Sequence, residues 1–357
     1  MGRVSLLLPG FLFACDTDVN VNQVTLTDEF DQAPSNAVDI LWVIDDSTSM
    51  NEEQAAVRAA GADFLAVLES ADMDFQIGLI TTDGDSTNTK AGVLLGTPAF
   101  LDSSCREDGN PADCTYADEL AARFEQGTGG SDQEKGLEVA LAAVRKPLSE
   151  TFNAGFVRDG ALLMIIQLTD ENDCSDGGRL GPTATGEDCY NRYNELTPVG
   201  DLVSDVRDAK ADAGEGDVIM SGIIGPDADT NCSFAVPGKR YREAIGMFGG
   251  VEADICLSDY APIMQSLGLV ATGITTNFQL TKAAVYSVDD PATTEKDESE
   301  KNPVVEVEGK VVPESAENGW TYVDTYAQIQ FNGEAVPERA EHIIVTYYSA
   351  GPVPTGG

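Results

Sequence analysis

The stretch Asp45-Asp46-Ser47-Thr48-Ser49 places one carboxylate and two hydroxyls at alternate positions. In extended or turning backbone alternate residues point the same way, so Asp45, Ser47 and Ser49 can converge on one point. Three hard oxygens on one point suit a hard divalent cation. Mg²⁺ takes six oxygens at roughly 2.0–2.1 Å and commonly fills its shell with few carboxylates and several waters. Two further oxygens come from distant segments: Ser131, closing the loop Gly127-Thr128-Gly129-Gly130-Ser131, and Asp170, which follows Thr169 at the end of an apolar run. Thr128 is a second hydroxyl in the same loop. Taken singly, serines and aspartates in such places are commonly helix caps and turn formers, and Ser49 is a natural N-cap for the helix behind it.

Other chemistries lack their parts. His342 is the single histidine, which removes Ser-His-Asp and Cys-His triads with a spare base and zinc sites built on two histidines. No phosphate-binding, dinucleotide-binding or nucleophile-elbow motif occurs. With 61 Asp and Glu against 21 Lys and Arg, the formal charge is −40, so neither nucleic acid nor an anionic lipid surface is an expected partner. A metal-dependent hydrolase would have only the ubiquitous acids as its base, so the chain is expected not to be an enzyme.

The elements that must position these oxygens alternate along the chain. Residues 38–44, 75–81, 161–168 and 218–224 are short apolar runs of the buried-strand kind; residues 51–70, 133–144, 193–213 and 260–270 carry helical spacing. This predicts an α/β fold, an open doubly wound and mostly parallel sheet, which takes ligands at the carboxyl ends of its strands. Asp45 and Asp170 then share one edge. After about residue 274 the pattern becomes short alternating segments, 278–288, 304–312, 320–331 and 343–348, which predict a small all-β module; residues 289–302 are expected to be a solvated loop and His342 structural.

With these motifs in order on the expected elements, residues 37–273 resemble a von Willebrand factor type A domain carrying a metal-ion-dependent adhesion site. Asp45, Ser47 and Ser49 match its first motif, and Asp170 its strand-end aspartate. Counting back from Gly136, which matches the glycine of the family's helix start, Ser131 stands where the family usually has threonine. The resemblance implies a bound Mg²⁺, or Mn²⁺ or Ca²⁺, with one coordination position open to an acidic residue of a partner protein. Beside this site Glu171, Asp173 and Asp176 form an acidic stretch that reads as a solvated loop, with a Ca²⁺ rim as the alternative. Asp83 and Asp85, and the run Asp227-x-Asp229-x-Asn231, read as solvated loops too.

Residues 1–15 combine Met-Gly-Arg, an apolar run and Leu12-Phe13-Ala14-Cys15, which resembles the bacterial lipobox. The implied product is a lipoprotein of the bacterial cell envelope, extracytoplasmic and lipidated on Cys15, touching the membrane only through that anchor. Residues 16–36 are expected to be an acidic tether. Six cysteines remain, an even number suited to an oxidising compartment. Among the 15 connectivities they allow, the sequence-local one is preferred, Cys105–Cys114, Cys174–Cys189 and Cys232–Cys256, because each pair brackets a Gly- or Asp-rich segment. The function these features imply is cation-dependent binding of an acidic partner; the alternative is a calcium-binding structural envelope lipoprotein with no carboxylate-capturing role.

Overall fold

The computed structural model describes residues 23–32, 35–84, 90–106, 116–131, 133–181, 184–227, 232, 234–274, 276–285, 302–324 and 327–350. The chain divides into two compact units. One comprises residues 32–275 with 338–340, the other residues 1–31, 276–337 and 341–357. Cys15 and the lipobox lie outside the described residues, as do Asp85, Asp229, Asn231, Cys114 and the Cys105 side chain.

Along the chain β1 (Gln23–Asp31) belongs to the smaller unit. The larger unit starts with β2 (Ala37–Ile44), α1 (Asn51–Ser70) and β3 (Asp74–Thr81), followed by β4 (Phe100–Asp102), α2 (Tyr116–Arg123), α3 (Gly136–Val144) and β5 (Leu162–Thr169). Then come α4 (Gly186–Asn191), α5 (Val199–Ala213), β6 (Val218–Ile224), α6 (Lys239–Phe248), β7 (Glu252–Asp254) and α7 (Ala261–Ala271). The strands form one six-stranded mixed sheet, ordered β4-β3-β2-β5-β6-β7, in which only β4 runs antiparallel to its neighbour.

Strand parity sorts the core into two layers. Ile40, Trp42 and Ile44 of β2 pack with Phe64 and Leu68 of α1, Leu120 of α2 and Leu267 of α7, whereas Leu41 and Val43 pack with Leu137 of α3, Val203 of α5 and Ile245 of α6. Successive side chains of a strand leave by opposite faces, so a β2 buried along its length requires helices on both. Trp42 anchors one layer, meeting Phe64 and Phe124 edge-on with centroids 5.7 and 5.0 Å away.

The chain proceeds outward from β2 to β3 and later returns beside β2 as β5, so strand order reverses between β2 and β5. Loops leaving those two carboxyl ends diverge and leave a crevice. The parallel register aligns Ile44 with both Thr81 and Leu168. The Asp45 N–H donates to the Leu168 carbonyl at 2.9 Å and the Thr82 N–H to the Ile44 carbonyl at 3.0 Å. Asp45, Thr82 and the Thr169–Asp170 step therefore line one edge.

Several expected boundaries move for local reasons. The single helix expected over 193–213 begins only at Val199, because Pro198 has no N–H to donate and keeps the residue before it out of helical backbone. The helix expected from 133 begins at Gly136, since Glu134 bridges Asp83 and the Lys135 N–H reaches the Thr82 carbonyl at 3.0 Å. The elements β4, β7, α2 and α6 were not expected; the two strands are three residues each, too short for a period to register.

The smaller unit contains two antiparallel sheets. They are ordered β1-β13-β9-β10 and β11-β12-β8, with β8 (Asn277–Gln279), β9 (Val304–Val307), β10 (Lys310–Val312), β11 (Gly319–Val323), β12 (Gln328–Asn332) and β13 (His342–Ala350). Phe278, Val305, Trp320, Ile329, Phe331, Ile343, Val345 and Tyr347 form its core. The expected tether is corrected here: Gln23–Asp31 pairs with β13 over its whole length. Val24, Leu26 and Phe30 alternate with Thr25, Thr27 and Glu29, and Leu26 and Phe30 pack on the core. Acidic composition hid that period of two. The expected strand over 278–288 shrinks to β8, and residues 304–312 fold back at Glu308 and Gly309, whose φ of 49° and 71° suit a two-residue hairpin turn. His342, on β13, is 40% exposed, with its Nε2 3.9 Å from Glu29.

Arg158 ties the opposite end of the larger sheet. Its Nε donates to Asp39 Oδ1 at 2.7 Å, its backbone N–H to Asp39 Oδ2 at 2.6 Å, and Nη1 to Asp74 at 2.8 Å. Asp39 is fully buried, and burial outweighs Arg158 in raising its pKa to about 6. Arg158→Leu strands that carboxylate, a loss on the order of 3 kcal/mol in urea unfolding at pH 7.5. An acid whose folded pKa is raised favours the fold below its unfolded pKa and loses that contribution as pH rises through the folded value. The deficit of the variant should therefore shrink at pH 5.

Candidate functional site

Asp45 leaves the end of β2 fully buried. Its Oδ1 accepts the Ser47 N–H at 2.7 Å and its Oδ2 accepts the Thr169 hydroxyl at 2.6 Å. Each oxygen keeps lone-pair capacity beyond these bonds. The backbone then tightens into a single 3₁₀ turn, Thr48–Met50, ahead of α1. Ser49 is not the expected N-cap: Met50 holds that place and no side chain caps the helix. The Ser49 hydroxyl lies 3.2 Å from that of Ser47, so the two hydroxyls meet as the alternate spacing requires.

Asp170, at the end of β5, is fully buried, and neither of its carboxylate oxygens has a well-formed hydrogen bond among the described residues. Burial, then the negative charge of Asp45, raises its pKa to about 6, and the nearby Ser49 hydroxyl moderates the rise. Burial likewise raises Asp45. The structure thus brings together four of the five expected residues, Asp45, Ser47, Ser49 and Asp170.

Ser131 is held differently. Its half-buried hydroxyl accepts the Gln133 N–H at 3.1 Å, a local turn bond. Its loop nevertheless reaches the site, because the Gly130 N–H donates to the Asp46 carbonyl at 2.8 Å. A Cβ on Gly130 would stand 2.3 Å from Asp46 Oδ1, so glycine is needed for that approach. Gln54 of α1 holds the loop: its Nε2 donates to the carbonyls of Asp45 (2.8 Å) and Gly127 (2.9 Å), and its Oε1 accepts from the N–H groups of Gln126 and Gly127.

Sequence reasoning missed Gln54 and, more tellingly, Glu134. Glu134 is 1% exposed, and among the described residues neither carboxylate oxygen has a well-formed hydrogen bond, although the Thr82 hydroxyl stands near enough to moderate its charge. Burial pushes its pKa well up, and the charge of Asp45 adds to the rise. Asp46 follows, to about 6 through burial, then Asp83 and Asp45, with its buried Oδ1 making no hydrogen bond among the described residues. The position of Glu134, three residues past Ser131 and two before the apolar start of α3, was the available signal.

The acidic stretch after Asp170 is neither a solvated loop nor a calcium rim at Asp173 and Asp176, which are buried and spent on cations. Asp173 pairs with Arg240 at 2.9 Å, and Asp176 with Lys135 at 2.8 Å. Asp173 and Ser175 also cap α3, accepting the N–H groups of Leu137 (3.1 Å) and Glu138 (2.9 Å). Lys135, then other hydrogen bonds, hold the Asp176 carboxyl below its ordinary range despite burial. Asp227 pairs with Arg242 at 2.6 Å. The disulfides Cys174–Cys189 and Cys232–Cys256 form as expected. Among the described residues no three His, Cys, Asp or Glu side chains group as a metal cage. No described helix is long and apolar enough to cross a membrane.

No family model and no curated protein matches this chain. Among solved structures, the pilus adhesin SpaC of Lactobacillus rhamnosus GG is 14% identical with a TM-score of 0.38, over 91% of this chain and 41% of SpaC. The pilus adhesin RrgA of Streptococcus pneumoniae is 11% identical with a TM-score of 0.33, over 93% of this chain and 59% of RrgA. The human COPII-coat protein Sec24c is 10% identical with a TM-score of 0.39, over 92% of this chain and 42% of its own. This chain thus spans well under half the length of SpaC and of Sec24c.

The raised carboxyls set a pH dependence. Acids whose folded pKa stands near 6 favour the fold fully below their unfolded pKa near 4 and lose that contribution as pH rises through 6. In EDTA, Asp170→Asn should therefore melt at a higher temperature than the wild type at pH 7.5, with the gap closing at pH 5.

Proposed function

We propose that this chain is a von Willebrand factor type A binding protein that captures an acidic residue of a partner protein through a divalent cation. The observation that carries this reading is Asp170, buried beside buried Asp45 with neither carboxylate oxygen in a well-formed hydrogen bond among the described residues. Buried charges are ordinarily paired or bound to metal, and an unpaired one costs several kcal/mol. Two aspartates and a pair of serine hydroxyls, with no histidine or thiolate, form a hard-oxygen set suited to Mg²⁺, with Mn²⁺ or Ca²⁺ as substitutes. Asp45, Ser47, Ser49 and Asp170 would hold the ion and Ser131 would complete the set. Its charge would offset that of Glu134, which faces the same carboxylates.

The bound ion supplies positive charge where the rest of the chain is negative. The residues themselves do the positioning: Thr169 and the Ser47 N–H orient Asp45, and Gln54 keeps the 126–130 loop against it. We read the activity as binding without catalysis, in a chain whose single histidine, His342, belongs to the other unit. The two disulfides support an oxidising compartment, and the lipobox-like Leu12–Cys15 supports a lipid anchor on the bacterial envelope.

Calorimetry with Mg²⁺ and Mn²⁺ tests the reading. The wild type should release binding heat and gain about 2.7 kcal/mol of stability at a hundredfold excess over the dissociation constant. Asp45→Ala should abolish both, and an Asp45→Ala variant that binds Mg²⁺ as the wild type does refutes the site.

A further inference from the structure

A cleft of about 350 Å³ opens next to this site, lined by Asn172, Tyr190, Tyr193, Val236, Pro237 and Lys239. It adjoins Asp170 through the backbone: the Val236 N–H donates to the Asp170 carbonyl at 2.7 Å, and Asn172 stands two residues further on. The charges of Asp170 and Glu171 are both felt at the Tyr190 phenol. Five aromatic side chains are notably exposed among the described residues, Phe152, Tyr190, Tyr193, Phe234 and Tyr348. Two of these line the cleft, and Phe234 belongs to the segment that forms its far wall. Elsewhere among the described residues of the larger unit, Phe152 is the one other aromatic so exposed.

The walls are built to stay in place. Tyr190 follows Cys189 directly, and that cysteine is tied to Cys174. Arg240 sits 5.8 Å beneath the Tyr193 ring, with Nε on Asp173 and Nη2 donating to the Thr197 carbonyl at 2.7 Å. The Arg240 N–H fixes the Asn172 side chain at 2.9 Å. Rigid, half-exposed tyrosines lose little conformational freedom when they receive a ligand.

Lys239 gives the cleft its charge preference. It is exposed at the rim, and among the described residues no carboxylate pairs with it. In a chain of charge −40 this ammonium and the proposed ion are two positive centres flanking one apolar mouth. An acidic segment fits both ends, and between them the lining of tyrosine, valine and proline suits a bulky apolar side chain.

We propose that the cleft receives an aromatic side chain of the partner, carried on an acidic segment whose aspartate or glutamate reaches the ion site. This rests on the cation reading above and adds to it the partner's sequence character. Capped peptides holding one aspartate, with tryptophan one to four positions to either side, are compared with twins carrying alanine in its place. Each is titrated in Mg²⁺ and in EDTA, with Mg²⁺ alone titrated in parallel.

In Mg²⁺ the best tryptophan peptide should bind about tenfold or more tightly than its twin, as burial of one ring supplies. Tyr190→Ala with Tyr193→Ala should remove that difference and leave the affinity for the alanine twin, and for Mg²⁺, unchanged. Equal binding of the twins while Mg²⁺ binds overturns the cleft and spares the ion site. A preference that survives the double variant overturns it also, as does selection of methyl glucuronide over every peptide, which would assign the cleft to carbohydrate. Failure of Mg²⁺ itself to bind overturns the ion reading, and this proposal with it.

Discussion

Unneutralised negative charge at one edge of a buried sheet is the constraint around which the larger unit is arranged. Asp45, Glu134 and Asp170 stand nearly or wholly out of water, and among the described residues Asp170 and Glu134 have no well-formed hydrogen bond to spread their charge. A fold gains nothing from this by itself, since each such carboxylate is driven toward protonation. The contrast with Asp39, Asp173 and Asp176 is instructive, because those equally buried acids each received an arginine or a lysine. In a chain with 21 basic residues to 61 acidic ones, cations are scarce and are spent where structure alone is at stake. Among the described residues the edge at Asp45 has no such partner, which is what the proposed cation site rests on.

That edge is made by topology before it is made by side chains. Strand order reverses between β2 and β5, so the connections after Ile44 and Thr169 part and leave room between them. The parallel register then sets Asp45 level with Thr169, one residue before Asp170. Around them, fixed dipoles do the fine placement: Thr169 holds one oxygen of Asp45, the Ser47 amide the other, and Gln54 joins the end of β2 to a loop more than seventy residues away in the chain. On the other side Asp173 and Ser175 cap α3, so the segment after Asp170 is anchored rather than loose. Supports made of backbone hydrogen bonds and buried pairs shape the edge in advance of any ligand.

What the sequence disclosed followed the strength of local signals. Buried strands such as β2 and β5 announce themselves by continuous apolar runs, and α1 by its spacing, so the alternating α/β order and the positions of Asp45, Ser47, Ser49 and Asp170 were legible. Glu134 and Gln54 were not, since their importance lies in what the fold brings to them and each is an ordinary surface residue by type. Asp173 and Asp176 looked like solvent-facing acids because their partners Lys135 and Arg240 are dozens of residues distant. β1 was misread for a compositional reason: an acidic, Asn-rich stretch masked the alternation of Val24, Leu26 and Phe30, whose partner strand lies at the far end of the chain.

The imbalance of charge bears on how such a site meets a partner. At physiological ionic strength fields decay over roughly 8 Å, so an approaching acidic segment feels only the nearest part of the chain's charge. Beyond that range repulsion is mild; within it the outcome depends on what the docking edge presents. An edge bearing bare carboxylates repels an acid at the distance where orientation is decided. On the proposed reading, the same edge holding a divalent ion, with Lys239 at its flank, would turn the sign of the local field while the remaining surface stayed repulsive. Docking would then be confined to one place by the surrounding negative charge itself, and specificity would arise from repulsion everywhere else as much as from attraction at the ion.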